Sequence, residues 1–317
     1  MSRGTAAAPR PSLLPTRSRA TTRLAFGVIY LVWGITYAVN RIMVLELPPL
    51  LAAGTRFMLG GSLLTLLARS RGLALPRRRR DWLSVAAAAV LGVALSNGLS
   101  VLALRHIASN QAALINASTA LWIAWLGMYG RRATPVSGRT WSGLALGLIG
   151  VAVLLSARGF AASAHLGGQL MVLAATLCWA LATTVMRESQ SECDPLVFTA
   201  CYLLLGGALL AGIGLAGGDA QQWTWSPRGL AALVFLALFS STFGFVAYSY
   251  LLLHETPSRL GTYAYVNPLV AVIVGWLLLG ERLDTRQVLG ASIILAGVML
   301  VRNVPLLPRG AGFRRHL

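Results

Sequence analysis

Apolar stretches close to 20 residues long recur along this chain, separated by short polar or breaker-rich connections. They read as spans at 24–44, 50–69, 82–104, 109–129, 140–157, 168–187, 195–216, 229–252, 258–279 and 286–302. At 1.5 Å of rise per residue, about 20 helical residues cross a hydrocarbon core of about 30 Å. The connections carry Pro48-Pro49, Gly72 with Pro76, Thr134-Pro135, Gly217-Gly218 and Pro257, which end helices and make turns. The pattern predicts an all-α polytopic membrane protein with ten transmembrane helices.

The chain also repeats itself. Residues 31–64 align without a gap on residues 177–210. Trp33 then falls on Trp179, Arg41 on Arg187, Pro49 on Pro195, and Gly60-Gly61 on Gly206-Gly207. Two hydrophobic halves of common pattern are the mark of a transporter built by duplication. The boundaries read as a tail at 1–23, a first repeat at 24–157, a second at 168–302 and a tail at 303–317.

Composition supports this reading. Hydrophobic residues make up 56% of the chain and charged residues 11%, too few charges to cover a soluble domain; the mean hydropathy is +0.69. The net charge of +18 does not point to nucleic acid. All 27 basic residues are arginines, placed mostly in tails and short connections, which suits membrane orientation better than a basic binding face. With the N-terminus cytoplasmic, 20 arginines fall inside and 6 outside, with Arg56 within a span. Both termini are therefore expected inside, in a bacterial inner membrane. Five spans per repeat then make the halves inverted, related by a pseudo-two-fold axis in the membrane plane. Gly143 and Gly150 recur as Gly290 and Gly297, and Gly130 as Gly280, small residues that let helices approach closely.

Other classes find little support. Cys178, Cys193 and Cys201 form no CxxC pair, so they read as small apolar filler rather than a disulfide framework or metal site. The chain lacks HExxH, GxSxG, a Walker loop and any pair of acids within the spans, which argues against an enzyme and implies no cofactor. Glu46, Glu188, Glu255 and Glu281 stand at span ends, so a proton relay through a central carboxylate is not supported. A scaffold or sensor would need a soluble domain that the chain does not carry. Expected partners are the lipid bilayer and a small-molecule substrate, in a monomer or homodimer.

Polar side chains are costly inside a bilayer, so those within spans are the candidates for function. Trp33, Thr36 or Tyr37, and Asn40 share one face of the first span, and Trp179 with Thr183 share the matched face of the sixth. Packing or interhelical hydrogen bonding is the plain alternative for each. Arg56 lies seven residues past Pro49, about 10 Å below the outer edge, and needs a partner. Glu46 would make a structural pair, and a substrate carboxylate would suit its fork. Arg41 and Arg187 sit at helix ends and read as structural. In the ninth span Pro268 leaves a carbonyl unbonded, beside Tyr263 and Asn267. Asn116 on span four, Asn97 and Ser100 on span three, and Ser241 with Tyr248 on span eight complete the set. Phe235, Phe239 and Phe243 read as lipid-facing or packing residues.

The segment "VWGITYAVNRIMVLELPPLLAAGTRF" resembles the opening of the drug/metabolite transporter superfamily, EamA type. So do "YAYVNPLVAVIVGWLLLGERL" and "LGASIILAGVMLV" near the end. The resemblance covers about residues 24–302. It implies ten helices, both termini inside, and alternating-access export of amino acids, related metabolites or drugs. The first half departs from the pattern: Ser118-Thr119 and Gly130-Arg131 stand where the second has Asn267-Pro268 and Gly280-Glu281. The expected function is export of small amphipathic metabolites, with multidrug export as the alternative. The expected substrate-binding residues are Trp33, Tyr37, Asn40, Arg56, Asn97, Asn116, Trp179, Thr183, Tyr248, Tyr263 and Asn267.

Overall fold

The computed structural model describes residues 18–129, 137–155, 163–188, 193–255 and 263–301. Gly130, Arg131, Thr134-Pro135, Pro257, residues 1–17 and the C-terminal tail lie outside the described residues, whereas Arg19–Arg23, expected in the N-terminal tail, form the first turn of α1. Among these residues the regular elements are helices, and they form ten rods. These are α1 (Arg19–Glu46), α2 (Pro49–Ser70), α3 (Arg79–Ala103), α4 (Ser109–Asn116 continued by Thr119–Leu126) and α5 (Gly138–Leu155) in the first repeat. The second has α6 (Ser163–Glu188), α7 (Pro195–Ala216), α8 (Pro227–His254), α9 (Tyr263–Leu279) and α10 (Thr285–Val301). By length and apolar character α1, α2, α3, α6, α7 and α8 suffice to cross a membrane, while α5, α9 and α10 are shorter.

Local chemistry sets the helix ends. Ser18 starts α1, its hydroxyl accepting from the Thr21 amide at 3.0 Å. Pro49 and Pro195, matched across the repeats, both occupy the first turn of their helices, where a missing N–H costs nothing. Asp194 caps α7 by accepting from the Leu196 amide at 2.8 Å. The α2 cap comes from the other repeat: the Leu51 amide donates to Asp219 at 2.9 Å. Burial pushes the neighbouring Cys193 thiol up to about 12, which keeps it protonated and unreactive.

The halves join through matched helices. The tightest packing pairs α2 with α7 and α5 with α10, each helix against its own counterpart, as a two-fold axis between the halves requires. Glycine makes both crossings. A Cβ added at Gly54 would lie 2.4 Å from the Ala211 backbone nitrogen, and one at Gly207 would lie 2.9 Å from the Gly54 carbonyl. At the other crossing, a Cβ on Gly150 would lie 2.6 Å from Ile294 N and one on Gly297 2.6 Å from Gly147 N. The doublets Gly60-Gly61 and Gly206-Gly207 serve two neighbours each. Gly60 receives Ser241 and Ala237 of α8, whereas Gly206 receives Val93 and Ala89 of α3. Ala89 thus answers to Ala237, and Val93 to Ser241.

The structure departs from a picture of regular rods in three helices. In α3 the stretch Ala89–Leu95 is π-helical, and in α8 so is Leu236–Gly244. Both fall against the glycine doublets of α2 and α7. A side chain meets the widened turn in each: Asn97 Nδ2 donates to the Gly92 carbonyl at 2.8 Å, and Thr242 Oγ1 to the Ala237 carbonyl at 2.9 Å. The third is α4, which breaks at Ala117-Ser118 without a proline, while α9 runs as one helix through Pro268. The break faces α6, where Trp122 Nε1 donates to Thr176 Oγ1 at 2.9 Å.

Replacing Gly54 by alanine forces a methyl into backbone of the facing helix. The expected cost is about 1–3 kcal/mol, read as a lower thermal unfolding midpoint of the solubilised protein. Gly27→Ala, with nothing within 4 Å of the new methyl, should show no such loss.

Candidate functional site

A cavity lies between the repeats, lined by residues of both. Seven helices contribute to its wall. It occupies the half of the bundle towards the α3–α4 connection, since its lining on α3 runs from Ser96 to Leu104 and on α4 includes Ala112 and Asn116.

Aromatic rings form its floor. Trp33 of α1 and Trp179 of α6, the matched pair, meet edge to face with centroids 6.0 Å apart. Tyr263 meets Trp33 at 5.8 Å, and Phe245 lies 5.5 Å from Trp33 and 6.1 Å from Trp179. Such edge-to-face contacts follow from ring quadrupoles and hold the rings in fixed orientation. Trp179 Nε1 donates to the Tyr263 hydroxyl at 3.4 Å. Beyond the floor, Ala25, Ile29, Tyr250 and Leu251 form a buried apolar cluster with Tyr248 and Tyr263 towards the other end of the bundle.

The opposite chemistry lines one wall. Arg56 is 2% exposed. Its NH1 donates to Asn40 Oδ1 at 2.9 Å and its NH2 to Asn97 Oδ1 at 3.0 Å. The guanidinium lies over the Phe57 ring at 4.3 Å. Its Nε has no partner among the described residues. These neutral oxygens orient the charge but do not neutralise it, and no acidic residue stands among those that line the cavity. An unpaired guanidinium inside the membrane costs at least about 2.5–3.5 kcal/mol.

Glu46 is not its counter-ion. As the last residue of α1 it packs against Gly229 at the start of α8. There its carboxylate accepts from the Ser226 hydroxyl at 2.8 Å and stands 3.9 Å from Arg228. Arg41 has a structural place, donating to the carbonyls of Leu104 and Ile107 at the end of α3.

Of the residues singled out from sequence, Trp33, Tyr37, Asn40, Arg56 and Asn97 line the cavity, as do Asn116, Trp179, Tyr263 and Asn267. Thr183 and Tyr248 do not. Tyr248 is buried against Trp33 at 5.1 Å and Trp179 at 5.7 Å, and its hydroxyl meets Thr183 Oγ1 at 3.3 Å, so the pair supports the floor from behind. Ser241 is turned onto Gly60. In its place Ser240 and Phe245, five residues apart, face the cavity. A π-helical turn advances the helix phase by about one residue, which a seven-residue spacing does not anticipate. Phe239 and Phe243 are exposed on the outside of the bundle, in a row of tilted ring contacts with Phe235. Asn267 is buried, and its Oδ1 finds no partner among the described residues.

The profile of the EamA-like transporter family matches the chain twice, over residues 24–156 and 166–303. An uncharacterized inner membrane transporter of Escherichia coli, YedA, is 32% identical over 87% of this chain and 89% of its own length. An uncharacterized transporter of Archaeoglobus fulgidus is 29% identical over 88% of this chain and 96% of its own. The uncharacterized transporter YvbV of Bacillus subtilis is 28% identical, covering 90% and 92%. One crystal structure shares the fold, with a TM-score of 0.66 at 19% identity, covering 90% of this chain and 99% of that one.

Near the α3–α4 connection, Glu281 accepts from the Ser109 amide at 2.7 Å, the Ser109 hydroxyl at 2.8 Å and the Asn110 amide at 2.9 Å. These donors open the first turn of α4 and have no intrahelical acceptor. Glu281→Ala strands them, at an expected cost of about 1–3 kcal/mol. Arg228→Ala removes an exposed ion pair and should cost about 0–1 kcal/mol. Thermal unfolding of the two variants side by side checks the difference.

Proposed function

The chain belongs to the EamA-like transporter family, and from that premise we propose that it exports small amphipathic metabolites, amino acids or related compounds, across a bacterial inner membrane. The observation that carries the reading is the cavity between the repeats. It presents an aromatic floor beside a polar wall within one enclosure, and a molecule with an apolar body and a polar head matches both.

The mechanism proposed is alternating access. The reading is supported by a cavity that reaches towards one end of the bundle and a buried apolar cluster around Tyr248 and Tyr250 towards the other. Inverted repeats supply two arrangements of the same contacts, in which one end seals as the other opens. The arginine bias supports an orientation with the α3–α4 end outside and both termini in the cytoplasm. On that assignment the cavity described here faces outward. Among the described residues no acid lines the cavity, so the cycle is proposed to run without a proton-carrying carboxylate at its centre.

Labelled amino acids should leave cells that carry the protein faster than cells without it. Trp33→Ala and Tyr263→Ala, which remove the floor, should slow that efflux at least about tenfold, a loss of about 1.4 kcal/mol, at unchanged protein level. If no amphipathic solute moves in cells or in liposomes, the reading fails. The orientation has its own check: a reporter active only outside the cytoplasm should stay silent when fused to the C-terminus.

A further inference from the structure

We propose that Arg56 is the seat of a substrate carboxylate, and that the cavity therefore accepts a monoanionic head on one side only. The inference rests on the transport reading of the cavity and deepens it.

The first ground is the charge count. Arg56 is buried, and the two groups it bonds are neutral amide oxygens, Asn40 Oδ1 at 2.9 Å and Asn97 Oδ1 at 3.0 Å. A guanidinium has five N–H donors. Two are used here, one on each terminal nitrogen, so donors remain for an incoming group. A carboxylate meets such a fork with both oxygens, which no neutral amide does. Two amides anchored on α1 and α3 hold the fork in place before the ligand arrives, and the pre-set geometry spares the ligand the entropy of ordering it.

The second ground is the comparison between halves. Tyr202 occupies the position on α7 that Arg56 occupies on α2, and Met186 the position that Asn40 occupies. The contacts that pair Val93 with Ser241 place Phe245 opposite Asn97. Phe245 meets Tyr202 at 6.0 Å, just as Asn97 meets Arg56. One repeat thus builds a cation held by two amides, and the other has two rings and a methionine at the same places. An anion has one seat, and the apolar remainder of its carrier lies against Phe245, Trp33 and Trp179. For an amino acid, the buried Asn267 Oδ1 offers an acceptor to the ammonium. A permanent hydrophobic cation meets Arg56 and no opposing acid.

The test uses purified full-length protein with three kinds of probe: leucine and phenylalanine, their amides, and tetraphenylphosphonium. Thermal shift in detergent and counterflow in proteoliposomes are measured for each. The wild type should favour the acids over the amides at least about tenfold in affinity, about 1.4 kcal/mol, and ignore the cation. Arg56→Gln should abolish the preference. Because that variant alone could reflect misfolding, Asn40→Asp decides the matter. It is isosteric, and it gives Arg56 a resident counter-ion. Its melting point should hold or rise, while its preference for the acids is lost. An Asn40→Asp protein that still prefers the acids, or a wild type that takes amides as well as acids, overturns the inference and leaves the transport reading standing. If the wild type neither binds nor moves any of the three probes, the transport reading fails and takes the inference with it.

Discussion

The contact between Gly54 and Gly207 sets the distance between the two halves of this protein, and the rest of the arrangement depends on it. In a bilayer, lipid tails compete evenly with apolar side chains, so helices associate through close fit rather than by expelling water. The α2–α7 crossing reaches backbone-to-backbone approach because neither partner carries a side chain there. That closeness draws α3 and α8 onto the glycine doublets. Their π-helical turns lie at those contacts, so the widened turns and the glycines belong to one joint. The cavity is the space left beside that joint, and Arg56 and Tyr202 project from the same helices that form it.

Charge is the second constraint. A symmetric frame would put equal chemistry on both sides of the two-fold axis. Here one half has Arg56 between Asn40 and Asn97, and the other has Tyr202, Met186 and Phe245. The frame is conserved across the axis by glycine and proline, residues chosen for backbone reasons. The side chains that face the cavity are free to diverge, because they do not carry the helix crossings. The ends of the rods follow another rule. Asp219 caps α2, Glu281 caps α4, and Arg41 caps α3, each reaching from a different helix or connection. Asp194, Asp219 and Glu281 all accept from backbone amides at helix N-termini, where those groups lack intrahelical partners.

Much of this was legible in the chain. Hydrophobic runs gave ten spans, the matched Trp, Arg, Pro and Gly residues gave the duplication, and odd spans per repeat with the arginine bias gave inversion. Periodicity also picked out Trp33, Tyr37 and Asn40 as one face, because α1 is regular there. Residues on irregular helices were harder. Ser241 and Tyr248 share a face only in an ideal α-helix, and the π-helical turn sends Ser240 and Phe245 to the cavity instead. The break in α4 carries no proline to announce it, whereas Pro268 is absorbed within α9.

The sequence by itself therefore determined the number of rods, their pairing into repeats and the residue types available to the interior, since these depend on period, length and count. Tertiary structure alone decided who meets whom. Glu46 and Arg56 stand close enough in sequence for an ion pair to be reasonable, yet the end of α1 turns Glu46 towards Ser226 and Arg228 on α8, and Arg56 is left to two amides. Partner choice in a helical bundle depends on crossing positions and on helix phase to within one residue. Close packing fixes both, and neither is written in any one span.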